Sequence, residues 1–432
     1  MIKSINSWME VVRLRWIPWF GDRPWAIILL FLPCFKPASF GYMTGVFHYV
    51  DLLLTGLKVV ILLAAVLFYV CYRKISAFMI CLFTFEFIII ISTVLNHGNI
   101  KKGLVVFGTV VTACIFTELF IRHNAKKFIQ SMAILVSTLI FINFIVMFFY
   151  PNGIAKMEYY GYTCNFLDID NLLIPIFLFG MYMMILNSEW RYGSLSNLAL
   201  LLIFCCTISL IKVWTAGGMI GMAVFLILVG LFYRRKIQKA ITPVSASLVY
   251  VFLTLGLVVF RLQNLFSPLI EGVLKKSLTL TGRTDMWDAA YGLIAEKPIL
   301  GRGVADLFGH ILHNGKFQYG HNILIEILLV SGIVGFIAFI AIIFVVNKNL
   351  MQVKNQNWAV LALIIVFSIF TVGLIESYLN NVYFFLILSV GYMMPEILRQ
   401  KAADSSAPEA NKGIMPWLKS RFMNQHREGI NE

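Results

Sequence analysis

Charge is what this sequence has least of. Asp, Glu, Lys and Arg make up 13% of 432 residues, against 60% hydrophobic, and the mean hydropathy is +0.84. A soluble domain carries about 25% charged residues, so no aqueous fold could cover this much apolar surface, and disorder is excluded for the same reason. Cysteine is scarce as well. The seven residues all lie within apolar runs except Cys164, which excludes a disulfide scaffold and shows no metal-ligand spacing. No period of 20–50 residues and no inverted repeat is evident, which argues against a repeat array. The first 24 residues, with Trp8, Trp16, Trp19, Arg13 and Arg15, contain no small-residue cleavage site and read as an amphipathic interfacial segment. Acidic residues are the rarer sign, 21 against 35 basic, for a formal charge of +14. Such an excess could serve nucleic acid, but it is also what cytoplasmic loops of membrane proteins carry.

What the sequence has in abundance is apolar runs, at 25–46, 50–71, 75–95, 103–121, 128–150, 171–187, 195–211, 214–232, 241–260, 321–346, 358–376 and 379–395. At about 20 residues per helical crossing, these predict an all-α polytopic membrane protein of about twelve transmembrane helices. Helices are the default, because lipid offers no partner to an open backbone group. The first run is interrupted by Pro33, Lys36 and Pro37, and is either kinked or short. With both termini on one side, most Lys and Arg fall on that side, including Arg73, Lys74, Arg122, Lys126, Lys127, Arg234, Arg235, Lys236 and Lys239. The short opposite segments hold only Lys36, Lys101, Lys102, Lys156 and Lys212. The asymmetry predicts cytoplasmic termini in a bacterial cytoplasmic membrane and removes the case for nucleic acid. The expected organisation is helices one to nine over 1–260, a large extracytoplasmic loop over 261–320, helices ten to twelve over 321–395, and a basic cytoplasmic tail over 396–432.

The long loop is the segment that stands apart. It carries Arg261, Lys275, Lys276, Arg283, Lys297, Arg302 and Lys316 on the side where basic residues are depleted, and loops of this length are usually functional. Met286, Trp287, Ala290 and Leu293 predict an amphipathic helix over 284–295, started by Thr281 and Gly282, ended by Pro298, and lying on the outer membrane surface. The start of that helix beside Arg283 offers either an anion site or a solvated, headgroup-facing arginine. Gly301-Arg302-Gly303 reads as a turn, His310 and His313 lack a carboxylate at metal spacing, and no metal is predicted. His321-Asn322 opens the tenth run, where an imidazole could act as a general base or the pair could simply cap a helix. Charges inside spans are costly, and therefore candidates for function: Lys58, Glu86, Glu118, Glu326 and Glu376, with Lys212 near a helix end. Glu326, His321, Glu376, Lys212 and Asn171 (with Asp168 and Asp170) are all expected near the outer face. That convergence points to an outward-facing site working on something delivered by the membrane.

Gly282-Arg283-Thr284, Trp287, Lys297-Pro298-Ile299-Leu300-Gly301-Arg302-Gly303, His321-Asn322, Glu326 and Gly332-Ile333-Val334-Gly335 together resemble the signature of the O-antigen polymerase and ligase family. The resemblance is close over about 55 residues and elsewhere extends to topology alone. It implies a metal-independent glycosyltransferase without cofactor, whose donor is an oligosaccharide on undecaprenyl pyrophosphate. Carried over, Arg283 would contact the pyrophosphate or shape its site, and His321 would activate the acceptor hydroxyl. Asn171, Asn322 and Glu326 would bind substrate, and Glu376 is added to them by its expected place at the outer face rather than by the resemblance. Many relatives have an arginine where this chain has Ala216, which leaves Lys212 or Arg302 as candidates for a second cation. The implied reaction is polymerisation of lipid-linked repeat units at the outer face, with donor and acceptor both lipid-linked and a chain-length regulator as a further partner. Transfer of a finished chain to a lipid or protein acceptor is the alternative. A flippase for the same lipids is the reading from another class, and it would require broken helices at midplane and charges along a central path.

Overall fold

The computed structural model describes residues 8–72, 74–156, 163–234, 241–268, 282–305, 309–313 and 315–406. The basic residues 73, 235, 236, 239, 275 and 276, the start residue Thr281 and the tail beyond 406 lie outside the described residues. Helix stands at every apolar run. α1 (Pro24–Phe31) is short, because Pro33 and Pro37 follow it and Lys36 is drawn to Asp51 at 2.5 Å. α2 (Val46–Tyr72), α3 (Ala77–Leu95, capped by Ser76) and α4 (Ile100–Phe149, capped by Asn99) follow. Next come α5 (Leu173–Tyr192), α6 (Asn197–Val213), α7 (Ala216–Phe232) and α8 (Pro243–Thr254), the last continued by a π-helical turn to Val259. The chain ends in α9 (Arg283–Glu296), α10 (Ile323–Gln352), α11 (Asn357–Val372), α12 (Val382–Tyr392) and α13 (Met394–Ser406). Two small antiparallel hairpins are also present: β1 (Ala155–Lys156) with β2 (Thr163–Cys164), and β3 (Ile311–His313) with β4 (Lys316–Gln318).

Among the described residues five helices are long and apolar enough to cross a membrane, or six if the bent pair α12–α13 counts as one, and α6, α7, α8 and α11 are apolar but shorter. One of the five, α4, is 50 residues long and breaks at Asn124 (φ −154°, ψ 84°), so it contains two of the apolar runs. Phe116 and Phe128 both lie about 6 Å from the ring of Phe31, hence within about 12 Å of each other. Twelve residues of straight helix would separate them by about 18 Å. The chain therefore turns at Asn124. α5 is central, with 83% of its apolar window buried, whereas α2 has 22% buried and presents Val59, Val60, Leu63 and Val70 outward. An apolar face of that size belongs in lipid. The chain is an integral membrane protein of helical fold.

Contacts sort the connections into two ends. At one end, Ala125 N donates to Gln400, Lys126 and Trp190 meet Asp404, and Trp358 and Arg234 meet Glu189. At the other, Asn99 N donates to Val304 O, Tyr378 to Asn171 O, and Ile323 N to Gly373 O. α9, β3 and β4 belong to this second end. The apolar stripe of α9 differs from expectation. Met286, Trp287 and Ala290 are buried with Val258, Ile311, Ile325 and Leu329, so α9 packs on α10 and β3 rather than resting that face on lipid.

The Gly-Arg-Gly turn has a structural task. α10 breaks at Gly332 (φ 60°, ψ −162°), which strands backbone groups inside an apolar helix. Residues 298–303 fill the break: Arg302 N donates to Leu329 O at 2.7 Å, Gly303 N to Val330 O at 2.9 Å, and Ile333 N to Pro298 O at 2.9 Å. A Cβ on Gly301 would sit 2.6 Å from Gly332 N, and one on Gly303 would sit 2.3 Å from Thr93 Cα. Only glycine allows α3, this turn and α10 to approach so closely.

Candidate active site

The site is built on the turn that leads into α10. His321 has φ 43°, a left-handed conformation costly for a residue with a Cβ. Its neighbours hold it there. Trp287 Nε1 donates to Gly320 O at 3.0 Å, and Gly320 N donates to Glu326 Oε2 at 2.6 Å. Asn322 caps α10 by accepting from Leu324 N and Ile325 N, while its amide donates to Leu374 O at 3.0 Å. Asn322 is wholly buried, so every polar atom of its side chain is used by the fold.

Between α11 and α12, residues 373–381 form a second turn that carries Glu376, 2% exposed. Its Oε1 lies 3.3 Å from His321 Nδ1 and its Oε2 lies 3.6 Å from Arg283 Nη2, so one carboxylate joins imidazole and guanidinium. Burial alone would raise its pKa. His321 first, then Arg283 and the Tyr319 hydroxyl, outweigh burial and hold the carboxyl below its ordinary range. Tyr319 also lies against the imidazole, ring centroids 4.1 Å apart, and burial beside Glu376 drives its own pKa far up, so it stays a neutral donor. The other imidazole nitrogen, Nε2, is 3.2 Å from Gln318 Oε1.

His321 lines a cavity of about 790 Å³, within the range of ligand pockets. Glu326, Asn171, Asp168, Asp170, Glu86 and Lys102 share its walls. Burial pushes the Asp168 carboxyl up to about 7, against a single backbone donor, Ile169 N. His310 also faces the cavity. Its Nε2 is 2.8 Å from Gly303 O, and burial lowers its pKa.

Of the residues singled out in the sequence, the structure thus brings together His321, Arg283, Glu376, Glu326 and Asn171. It does not bring Lys212 or Arg302 to the cavity. Lys212 is exposed at the end of α6, 5.2 Å from the Phe148 ring, and Arg302 turns back onto α9, to Leu293 O and Glu296. Four contributors escaped the sequence reading: Gln318, the Tyr319 ring, Lys102 as a wall residue, and Glu86 as a residue of this cavity. The first two lie within three positions of His321, a signal available in the sequence. Glu86 and Lys102 line the cavity from α3 and α4, whose adjoining ends receive residues 301–304.

Comparison with known proteins agrees with the signature. The family model described as O-antigen ligase matches residues 198–340, about a third of the chain, and that stretch includes Arg283, His321, Glu326 and both halves of the plugged helix break. Glu376, Glu86, Lys102 and Asp168 lie outside it. No curated protein matches the chain.

Proposed function

From a chain whose residues 198–340 fall in the O-antigen polymerase and ligase family, we propose a polymerase of lipid-linked polysaccharide repeat units. It acts at the outer face of a bacterial cytoplasmic membrane, with both termini cytoplasmic and twelve crossings, several of them short or broken. The observation that carries the reading is the chain Arg283–Glu376–His321, which ends on the wall of a cavity of ligand size.

In this reading, an acceptor hydroxyl replaces Gln318 at His321 Nε2. As its oxygen attacks the anomeric carbon of the donor, its proton passes to Nε2. The bond from the anomeric carbon to the phosphate oxygen breaks, and the electron pair leaves with undecaprenyl pyrophosphate. Attack opposite the leaving group inverts the anomeric centre. Glu376 keeps Nδ1 occupied and favours the imidazolium as it forms, while Arg283 answers the charge that grows on the diphosphate. The product, the freed lipid diphosphate and the proton on Nε2, which passes to water before the next turnover, account for every atom, with no metal and no cofactor in any step.

The family description itself favours a second reading, transfer of a completed chain to a lipid or protein acceptor. The flippase reading gains little from the break in α10, since that break is filled by the backbone of 298–303 rather than opened as a path.

Deletion of the imidazole tests the proposal. In cells, His321→Ala is expected to lower polymer by about 10²–10⁴-fold while single lipid-linked units accumulate outside. Units trapped inside would favour the flippase, and unchanged polymer would remove His321 from the mechanism. Purified protein given only lipid-linked repeat units separates polymerase from ligase, since a ligase makes no polymer from them.

A further inference from the structure

We infer that the cavity beside His321 is the subsite for the acceptor sugar, and that its carboxylates select acceptors without negatively charged substituents. The inference rests on the polymerase reading and names the substrate class for it.

The wall composition leads there. Among the described residues lining the cavity, Glu86, Asp168, Asp170 and Glu326 are acidic, while Lys102 is the one Lys or Arg. Glu326 has an internal partner in Gly320 N, and Asp170 has one in the Asn165 amide at 2.6 Å. Glu86 differs: it is 3% exposed, and its Oε1 has no hydrogen-bond partner among the described residues. A buried acceptor oxygen left open toward a cavity is a place kept for a donor, because such an atom is costly unless a ligand or water meets it. Sugar hydroxyls are donors, and a carboxylate accepts them well. The amides of Asn171 and Asn380 and the Tyr42 hydroxyl add further partners without charge.

The same walls disfavour anions. The poor solvation that drives the Asp168 carboxyl toward its neutral form would meet a uronate or a phosphorylated sugar as well, and Lys102 is the one Lys or Arg among the described lining residues to answer its charge. By this argument the donor diphosphate also belongs elsewhere, on the Arg283 side of Glu376. His321 then stands at the boundary, where an acceptor hydroxyl from one side meets an anomeric carbon from the other.

The test uses full-length protein in detergent and a labelled lipid-linked donor whose own acceptor hydroxyl is blocked. The acceptors are undecaprenyl-pyrophosphate disaccharides in matched pairs, ending in glucose, galactose or mannose, or in the corresponding uronate. For any pair that is used, kcat/KM is expected to favour the neutral member by at least about 100-fold. Assayed above about pH 8, where Asp168 has lost its proton, the double variant Glu86→Gln, Asp168→Asn should narrow that ratio to below about 10-fold by admitting the acid, and the single variant Glu86→Gln gives the same direction if the double fails to fold. Equal use of both members of a pair, or an unchanged ratio in a folded variant, overturns the inference while leaving the polymerase intact. Binding of the same pairs, followed by tryptophan fluorescence, separates the two failures. Preference for neutral sugars without transfer would sink the polymerase and keep the subsite, and equal binding would sink the subsite.

Discussion

The two ends of the helix bundle use the same kinds of residue to opposite effect. At the end away from the cavity, Glu118 accepts from Ser76 Oγ at 2.6 Å and Tyr69 at 3.3 Å and pairs with Arg122 at 3.0 Å, all against packed side chains. Glu189 accepts from Trp358 at 2.8 Å and pairs with Arg234 at 3.2 Å, so its Oε1, which accepts no hydrogen bond among the described residues, still faces a cation, as no oxygen of Glu86 is shown to do. At the cavity end Glu376 is shared between two cations, His321 is held in a strained turn, and Glu86 leaves an oxygen unmet. A buried charge whose neighbours satisfy it is part of the scaffold. A buried acid with an unmet oxygen beside a hollow has capacity for a ligand's donor.

This contrast can be broken by experiment. Beyond His321→Ala, the largest effect is expected from Glu376→Gln, which keeps shape but removes the charge shared by His321 and Arg283. Transfer measured on purified protein should fall by about 10–10²-fold, with the melting midpoint nearly unchanged; a normal rate would make Glu376 scaffold. Glu118→Gln should do the reverse. Loss of the charge-assisted contacts should cost about 1–3 kcal/mol, visible as a lower melting midpoint, while kcat of the surviving protein holds.

Asp168 gives a pH signature. Its pKa of about 7 in the fold, against 3.8 ordinarily, means that the folded chain keeps a proton that the unfolded chain has lost. Stability therefore falls as pH rises from about 4 to 7 and is flat above. Asp168→Asn should remove that slope, so its advantage over the parent protein in thermal melting should grow up to pH 7; parallel curves would refute the assignment. The smallest effect belongs to Lys126→Ala. It deletes an exposed ion pair with Asp404 at the far end, worth below about 1 kcal/mol, and should leave transfer untouched.

Much of this was open to sequence reasoning, because hydropathy and charge asymmetry are one-dimensional signals of a solvent that changes along one axis. The helices, the placement of Arg283, His321, Glu326 and Glu376 at one end, and the amphipathic helix after Gly282 all follow from local pattern. The same logic misjudged Lys212 and Arg302. Being basic and near the correct level does not say which way a side chain turns, and Phe148 and Glu296 claim these two. It also took Gly301 and Gly303 for an ordinary turn, when their lack of Cβ is what lets backbone from 298–303 close a gap in α10.

The sequence by itself determined the solvent, the helical elements and the end of the bundle where Arg283, His321, Glu326 and Glu376 gather, since each depends on residue type and spacing alone. Only the tertiary structure decided that Glu376 stands between His321 and Arg283, and that Glu86 from α3 faces the same cavity as Asp168. Those residues are separated by scores of positions in the chain, and it is packing across the bundle that sets the few ångströms over which a proton or a hydroxyl can be shared.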